Sequence, residues 1–209
     1  MRTTLRAIAA ATGFFALALQ YWLEIHLPRG PGLIASTVNF FSYFTILANS
    51  AAALAMLMPL ISPDGAVGRF LSRPSVRTAI AGYLIVVAIT YLVFLRHVGN
   101  DRGLERIADQ LMHYAMPVLF VIDWIAFVPK GRVPWTMLGT SLIPPLAYGI
   151  WTVVHGAAAN WYPYPFVDMR SLGYEQGLMS MAGFLIMFVA VALTLVAIDR
   201  TLGSIQPDA

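Results

Sequence analysis

The chain has 209 residues, of which 59% are hydrophobic and only 11% are charged, and its mean hydropathy of +0.73 predicts a membrane protein rather than a soluble domain. Cysteine is absent, which excludes disulfides, thiolate metal sites and a cysteine nucleophile, so covalent chemistry would need Ser, Thr, Tyr, Lys or a carboxylate. The net charge of +3 comes from scattered arginines and one lysine, and without a basic block we expect no nucleic-acid partner.

Six apolar runs are long enough to cross about 30 Å of hydrocarbon, which takes roughly 20 helical residues. They lie near residues 5–24, 38–61, 77–97, 107–128, 134–155 and 176–198. Short breaks with proline and glycine separate them, among them residues 28–32 and 98–101. We therefore predict an all-α, polytopic membrane protein, in which residues 1–209 form one domain with a bundle of six transmembrane helices.

The first run resembles a secretory signal peptide, because Arg2 and Arg6 precede it and residues 16–18, Ala-Leu-Ala, imitate a cleavage site. The run nevertheless stays apolar beyond that site, through Tyr21 and Trp22. We therefore expect a transmembrane helix that is kept in the protein.

Arginine and lysine favour cytoplasmic loops, so their positions predict the orientation of the bundle. With both termini cytoplasmic, the inner residues would be Arg2, Arg6, Arg69, Arg73, Arg77, Lys130, Arg132 and Arg200. The outer ones would be Arg29, Arg96, Arg102, Arg106 and Arg170, and six acidic residues, Asp101 among them, also fall outside. We expect both termini inside.

This orientation places the four histidines, His26, His97, His113 and His155, at or near outer helix ends. Thr45 lies seven residues below the outer start of the second predicted helix, and His113 lies six below that of the fourth. At 1.5 Å per residue both side chains would be roughly 10 Å deep. We therefore expect Thr45 and His113 at one level in the outer half of the membrane.

Polar side chains mark one face of the second predicted helix, where Ser42, Thr45 and Asn49 recur at i, i+3 and i+7. That face should point into the bundle, because polar groups find no partner in lipid. In the fourth helix, Pro117 lacks the N–H that would pair with the His113 carbonyl, so we expect a kink there. A kink beside a polar face favours a cavity.

Each of these features also has a purely structural interpretation. A threonine in a membrane helix commonly bonds the carbonyl four residues earlier, and histidines at helix ends commonly lie among lipid headgroups. An ionisable group inside the apolar zone suggests function, which favours His113. Asp123, the one acidic residue that the sequence places inside the bundle, would be an interfacial anchor or would bond to the fifth or sixth helix.

Three segments carry a resemblance to a known family: YFTILAN at 43–49, HYAMPVLFVIDWIAFVPKGRVPW at 113–135 and HGAAANWYPYPFVDMRSLGYEQG at 155–177. They resemble the bacterial branch of the androgen-induced protein family. In its animal members, a membrane threonine and a histidine form the catalytic pair of a hydrolase that cleaves fatty acid esters of hydroxy fatty acids. The resemblance implies that Thr45 and His113 form this pair, that the partner is a lipid from the membrane, that no cofactor is used, and that the protein lies in a bacterial inner membrane.

A threonine hydroxyl needs a base within hydrogen-bond reach, so His113 would take its proton, protonate the departing alcohol and later activate water. The group that orients the imidazole stays open among Asp168, Glu24, Tyr91 and Tyr114. Donors to the oxyanion would be Ser42, Asn49 or His155. Candidates for substrate contacts are Tyr91, Tyr114, Tyr162, Tyr164 and Arg96, with the carboxylate of the substrate near Arg96, Arg102 or Arg170.

Two other classes of protein would use the same residues. A non-enzymatic lipid-binding or transport protein would line a passage with the polar face, continue it inward through Asp123, and tolerate Thr45→Ala. A metal site would require His26, His97, His113, His155 and Glu24 to converge on one ion. The sequence contains no close pair such as HxxxH or HExxH, so we predict no metal.

Overall fold

The structure is a computed structural model that describes residues 1–26, 32–98 and 102–205. Its helices are α1 (Arg2–His26), α2 (Leu33–Phe41), α3 (Phe44–Ile61), α4 (Ala66–Ser72), α5 (Pro74–Thr90), α6 (Leu104–Gln110), α7 (Met116–Phe127), α8 (Thr136–Ala159) and α9 (Met169–Ile205). Two π-helical turns, Tyr91–Leu95 and Leu111–Ala115, extend α5 and join α6 to α7. Arg29 and Asp101, which entered the charge analysis, lie outside the described residues.

Six helical segments are long and apolar enough to cross a membrane. They are Arg2–His26, Phe44–Ile61, Pro74–Leu95, Leu104–Phe127, Thr136–Ala159 and Met169–Ser204. The prediction of an all-α bundle with six membrane spans is therefore confirmed, while the cytoplasmic position of the termini stays a prediction. The last helical segment, Met169–Ile205, is interrupted at Gly173, whose φ of 76° and ψ of 161° are not helical, so the long apolar helix begins after Gly173, close to the expected start at residue 176. The Asp168 carboxylate accepts from the Arg170 amide in the short turn before this kink.

The second predicted helix, 38–61, is wrong in one respect, because it is broken at Ser42 and Tyr43. Helix α2 ends at Phe41, Tyr43 is extended with φ −88° and ψ 126°, and α3 begins at Phe44. The hydroxyl of Ser42 donates to the Val38 carbonyl, a bond that favours bending of a helix. Thr45 therefore lies in the first turn of α3, and Ser42 does not share a helix face with it.

The disruption expected at Pro117 takes the form of a π-helical turn just before it. The Met116 amide donates to the Leu111 carbonyl, five residues earlier, and Pro117 falls in the first turn of α7, where a missing N–H costs little. The turn at Tyr91–Leu95 has the same character, since the Arg96 amide donates to the Tyr91 carbonyl. Such turns are frequent at functional sites, because they re-aim side chains without ending the helix.

The core of the bundle lies where α1, α3, α5 and α7 meet. Small residues line this contact, and Ala9, Ala52 and Ala81 are completely buried. Their size lets the helix backbones approach closely, which is the usual basis of helix association in membranes. Phe120 and Trp124 of α7 complete the cluster.

Asp123 of α7 is completely buried in the core and forms ion pairs with two arginines. Its Oδ1 lies 2.7 Å from Nε of Arg6 on α1, and its Oδ2 accepts from Nη2 of Arg77 on α5. We expected an interfacial anchor or a bond to the fifth or sixth predicted span, and this expectation is wrong. The two arginines belong to the first and third predicted spans, which are α1 and α5 of the structure. Asp123 is also not the one buried acid, because Asp199 of α9 is equally buried and accepts from the Val133 amide.

Candidate active site

Thr45 and His113 meet in the interior of the bundle, as their predicted common level requires. Oγ1 of Thr45 lies 3.5 Å from Nε2 of His113, and each residue is only 8% exposed. The break before α3 places Thr45 in a first helical turn, and the π-helical turn aims His113 at it. The distance exceeds the roughly 2.6–3.2 Å of a formed catalytic hydrogen bond, a common condition when no substrate is bound.

The imidazole of His113 is held on its other side by Asp109, four residues earlier on α6. Nδ1 lies 3.0 Å from Oδ1 of Asp109 and 3.0 Å from its backbone carbonyl oxygen. Two acceptors at Nδ1 place the proton there, which leaves Nε2 as an acceptor facing Thr45. The ring of Tyr91 stacks on the imidazole with centroids 4.3 Å apart and planes at 18°, so ring position and tautomer are both fixed.

Asp109 is the site residue that the sequence interpretation missed. It was counted only as an outer charge, although its i, i+4 spacing to His113 on one helix places the two side chains on the same face. Of the four residues considered for orienting the imidazole, Tyr91 contacts it through its ring. Tyr114 packs edge-on against Tyr91 instead, and Glu24 lines the cavity in front of the site.

Tyr164, from the loop between α8 and α9, reaches Thr45 from the side opposite to His113. The Thr45 amide donates to the Tyr164 hydroxyl at 3.2 Å, and that hydroxyl lies 3.3 Å from Oγ1 of Thr45. With the Thr45 O–H directed at Nε2 of His113, Oγ1 is left to accept from the Tyr164 O–H. Burial raises the pKa of Tyr164, so this hydroxyl keeps its proton at neutral pH.

Asn49 positions the site rather than facing it. Its Nδ2 donates to the Thr45 carbonyl at 2.8 Å and to the Met112 carbonyl at 3.3 Å. These bonds tie α3 to the π-helical turn that carries His113. Asn49 was considered as a donor to the oxyanion. That expectation is wrong, because the N–H groups of its side-chain amide already donate to these two carbonyls.

The other predicted donors and orienting groups serve the scaffold. Ser42 accepts from Nε1 of Trp151 at 2.9 Å, and its carbonyl accepts from Tyr148 at 3.0 Å. His155 stacks on Trp151. Asp168 pairs with Arg170, Oδ2 to Nη2, at 2.6 Å. None of these contacts of Ser42, His155 and Asp168 involves the side chain of Thr45 or of His113, and their roles at the reacting atoms stay predictions.

Three of the predicted substrate contacts, Tyr114, Tyr162 and Arg96, do not belong to the described lining of either cavity at the site. The Tyr162 ring packs directly on Gly156 of α8, and Tyr162 lines neither of the cavities at the site. Arg96 is exposed and donates to Nε2 of His97 at 2.7 Å. Arg170 forms an ion pair with Asp168, and the carboxylate contacts expected at Arg96, Arg102 and Arg170 stay predictions.

Two cavities meet at Thr45 and Tyr164. One, of about 450 Å³, is almost entirely apolar and lies among α3, α5, α8 and α9. The other, of about 300 Å³, lies among α1, α3 and the two π-helical turns, and His113, Asp109 and Gln20 contribute to its lining. Asp123 lines neither, so in the described part of the chain the polar face does not continue inward through it.

The histidines do not converge on a common point. His26 stacks on Trp22, His97 accepts from Arg96, and His155 stacks on Trp151. Within residues 1–26, 32–98 and 102–205, no group of three His, Asp or Glu side chains could hold a metal ion.

Fold and site together define a polytopic α-helical membrane protein with a buried threonine–histidine pair. No known protein family, curated protein or solved structure matches this chain.

Proposed function

We propose that the protein is an integral membrane lipid hydrolase that cleaves fatty acid esters of hydroxy fatty acids or similar lipid esters. One observation carries the proposal: the Thr45 hydroxyl faces Nε2 of His113, whose Nδ1 is held by Asp109, at the junction of an apolar and a polar cavity. The resemblance in sequence supports the same pair. The protein would lie in a bacterial inner membrane, with the site in the outer-leaflet half.

In the proposed reaction, His113 Nε2 takes the proton of Thr45 as Oγ1 attacks the ester carbonyl. The tetrahedral intermediate collapses when His113 returns that proton to the departing alkoxide, which leaves an acyl-threonine and a free alcohol. Water then attacks the acyl group and gives a proton to His113, and collapse of the second intermediate releases the fatty acid and restores the Thr45 hydroxyl. Asp109 stabilises the imidazolium in both halves of the cycle.

Tyr164 would supply the donor for the oxyanion. In the free site its O–H points at Oγ1 of Thr45, which becomes an ester oxygen and a poor acceptor during the attack. The O–H can then turn to the negative oxygen developing beside it, while the Thr45 amide still donates to the tyrosine oxygen and strengthens it as a donor. A preorganised donor of this kind contributes roughly 10²–10³ in rate.

A non-enzymatic lipid-binding protein is the second candidate, favoured by the size and apolar lining of the larger cavity. An acyl chain would occupy that cavity whether or not Thr45 reacts. Lipid binding that is strong in the wild type, with no turnover, would identify this class. Transport has less support, because Asp123 is held by Arg6 and Arg77 in the core.

The test of the proposed function is hydrolysis of a panel of palmitoyl esters by protein purified in detergent. Thr45→Ala and His113→Ala should each lower kcat by at least about 10³, whereas Thr140→Ala, which removes an exposed hydroxyl of α8, should have no effect. A fluorophosphonate probe should label Thr45 in the wild type and leave the Thr45→Ala protein unlabelled. Hydrolysis that survives Thr45→Ala in folded protein would refute the mechanism.

A further inference from the structure

We infer that the two cavities receive the two halves of the ester separately, the acyl chain in the apolar cavity and the alcohol in the polar one. The preferred substrates are then long-chain acyl esters of small polar alcohols such as glycerol, rather than esters whose alcohol carries a second long hydrocarbon chain. This inference rests on the proposed hydrolase function. Of the two substrate classes named there, it chooses the similar lipid esters over fatty acid esters of hydroxy fatty acids.

The apolar cavity fits a single acyl chain. Its volume of about 450 Å³ exceeds the 300 Å³ of the polar cavity, and its lining is almost entirely apolar. Ile150 of α8 and Leu178 of α9 belong to its lining and are 68% and 50% exposed on the outer surface of the bundle. The cavity therefore opens sideways between α8 and α9, where a chain can enter from the bilayer.

The polar cavity has a different lining and a different outlet. Polar and acidic side chains belong to its lining, namely Gln20, Glu24, Tyr43, Glu105 and Asp109. Its lining also includes Val98, which is 62% exposed beyond the end of the π-helical turn after α5. This cavity therefore opens at the helix ends, toward the water–lipid interface, where a polar alcohol can leave.

The position of His113 decides which half of the ester lies where. His113 lines the polar cavity and is absent from the described lining of the apolar one. The proposed mechanism requires its Nε2 to protonate the departing oxygen, so that oxygen must lie on the polar side of Thr45. The carbonyl carbon bound to Oγ1 then extends its chain past Thr45 and Tyr164, the two polar residues of the site shared by both linings, into the apolar cavity.

A polar alcohol suits the smaller cavity, and a hydroxystearate does not. Hydroxyl groups of glycerol can form hydrogen bonds with the Gln20 amide of the lining, whereas a long hydrocarbon arm would bury that amide against methylene groups, at a cost. The free carboxylate of a hydroxy fatty acid would also lack a cation, since no arginine or lysine belongs to the described lining. We therefore expect the polar cavity to discriminate between substrates by the alcohol of the ester.

Three palmitoyl esters that share the acyl chain test the inference: 1-palmitoylglycerol, the palmitoyl ester of 9-hydroxystearic acid, and hexadecyl palmitate. With wild-type protein in mixed micelles, we expect kcat/KM for the glycerol ester to exceed each of the others at least tenfold. Gln20→Leu should reduce this ratio severalfold. Gly149→Val, which fills the apolar cavity near Met181, should shorten the preferred acyl chain and leave the ratio unchanged.

The outcomes separate the inference from the function on which it rests. Hydrolysis that depends on Thr45 but is equal or faster with hydroxystearate or hexadecyl as the alcohol would overturn the assignment of the cavities and leave the hydrolase standing. If no ester is cleaved and the fluorophosphonate probe does not label Thr45, the proposed function fails and the inference fails with it.

Discussion

Oγ1 of Thr45 and Nε2 of His113 lie 3.5 Å apart although 68 residues separate them in the sequence. Two local departures from regular α-helix produce this contact, the break at Ser42 and Tyr43 and the π-helical turn around His113. Because Thr45 lies in the first turn of α3, its amide has no acceptor within that helix. This amide donates instead to the Tyr164 hydroxyl. Irregular backbone in a membrane bundle is tolerated where it lines a cavity, and here both irregular segments line the polar one.

Asp109→Asn should lower kcat by about 10–10³-fold, because the imidazolium of His113 loses its carboxylate partner. The loss should be smaller than in a serine triad, since the Asp109 backbone carbonyl also accepts from Nδ1 and keeps the tautomer. Steady-state kinetics with folded, detergent-purified protein measures the effect. Glu175→Gln, at an exposed carboxylate of α9, is the control, and an Asp109→Asn protein with wild-type kcat would remove Asp109 from the mechanism.

The sequence predicted the six spans and the shared level of Thr45 and His113, because hydropathy and helical rise determine both. It could not predict the helix break, which depends on Tyr148 and Trp151, more than 100 residues away, binding the polar groups of Ser42. Tyr164 was expected only to contact substrate, because the sequence of a loop does not show which residue a side-chain hydroxyl will contact in the fold. Asp109, by contrast, was predictable from its spacing to His113.

Tyr164→Phe should lower kcat by roughly 10²–10³-fold with little change in KM, if its O–H stabilises the oxyanion. The ring, which stacks on Phe166 at 5.1 Å, would remain in place. Tyr162→Phe is the matched control, because that hydroxyl belongs to the same loop but lines neither cavity. Equal kcat values for the two variants would mean that another group binds the oxyanion.

Asp123→Asn should destabilise the bundle by about 3–5 kcal/mol, because it leaves Arg6 and Arg77 buried without a counter-charge. Thermal unfolding in detergent measures this loss, with Asp64→Asn on the exposed α3–α4 turn as the control. Replacing the whole cluster with Arg6→Met, Arg77→Met and Asp123→Leu should recover much of the stability. An Asp123→Asn protein that unfolds at the same temperature as the wild type would show that Arg6 and Arg77 find other partners.

Gly156→Ala should affect stability and activity together. A Cβ at Gly156 would lie 2.1 Å from Cε1 of Tyr162, so the tyrosine and the loop that continues to Tyr164 must shift, at a cost of about 1–3 kcal/mol. Gly139→Ala on the same helix meets nothing within 4 Å and should stabilise slightly, since alanine favours helix. Unfolding curves and kcat for the pair test whether close packing at Gly156 positions Tyr164.

Asp168 should contribute stability that depends on pH. Hydrogen bonds from Arg170 lower the pKa of Asp168 below its ordinary value of 3.8, and the Arg170 amide donates to the same carboxylate at the start of α9. A pKa that is lower in the folded state means that the carboxylate stabilises the fold above pH 3.8 and that this contribution disappears as the pH falls below that value. Asp168→Ala should therefore lower Tm by a few degrees at pH 7, and the difference from wild type should shrink below about pH 4. Thermal unfolding across this range tests the sign, with Asp64→Ala as the control; a difference that grows toward low pH would contradict the assigned role of the carboxylate.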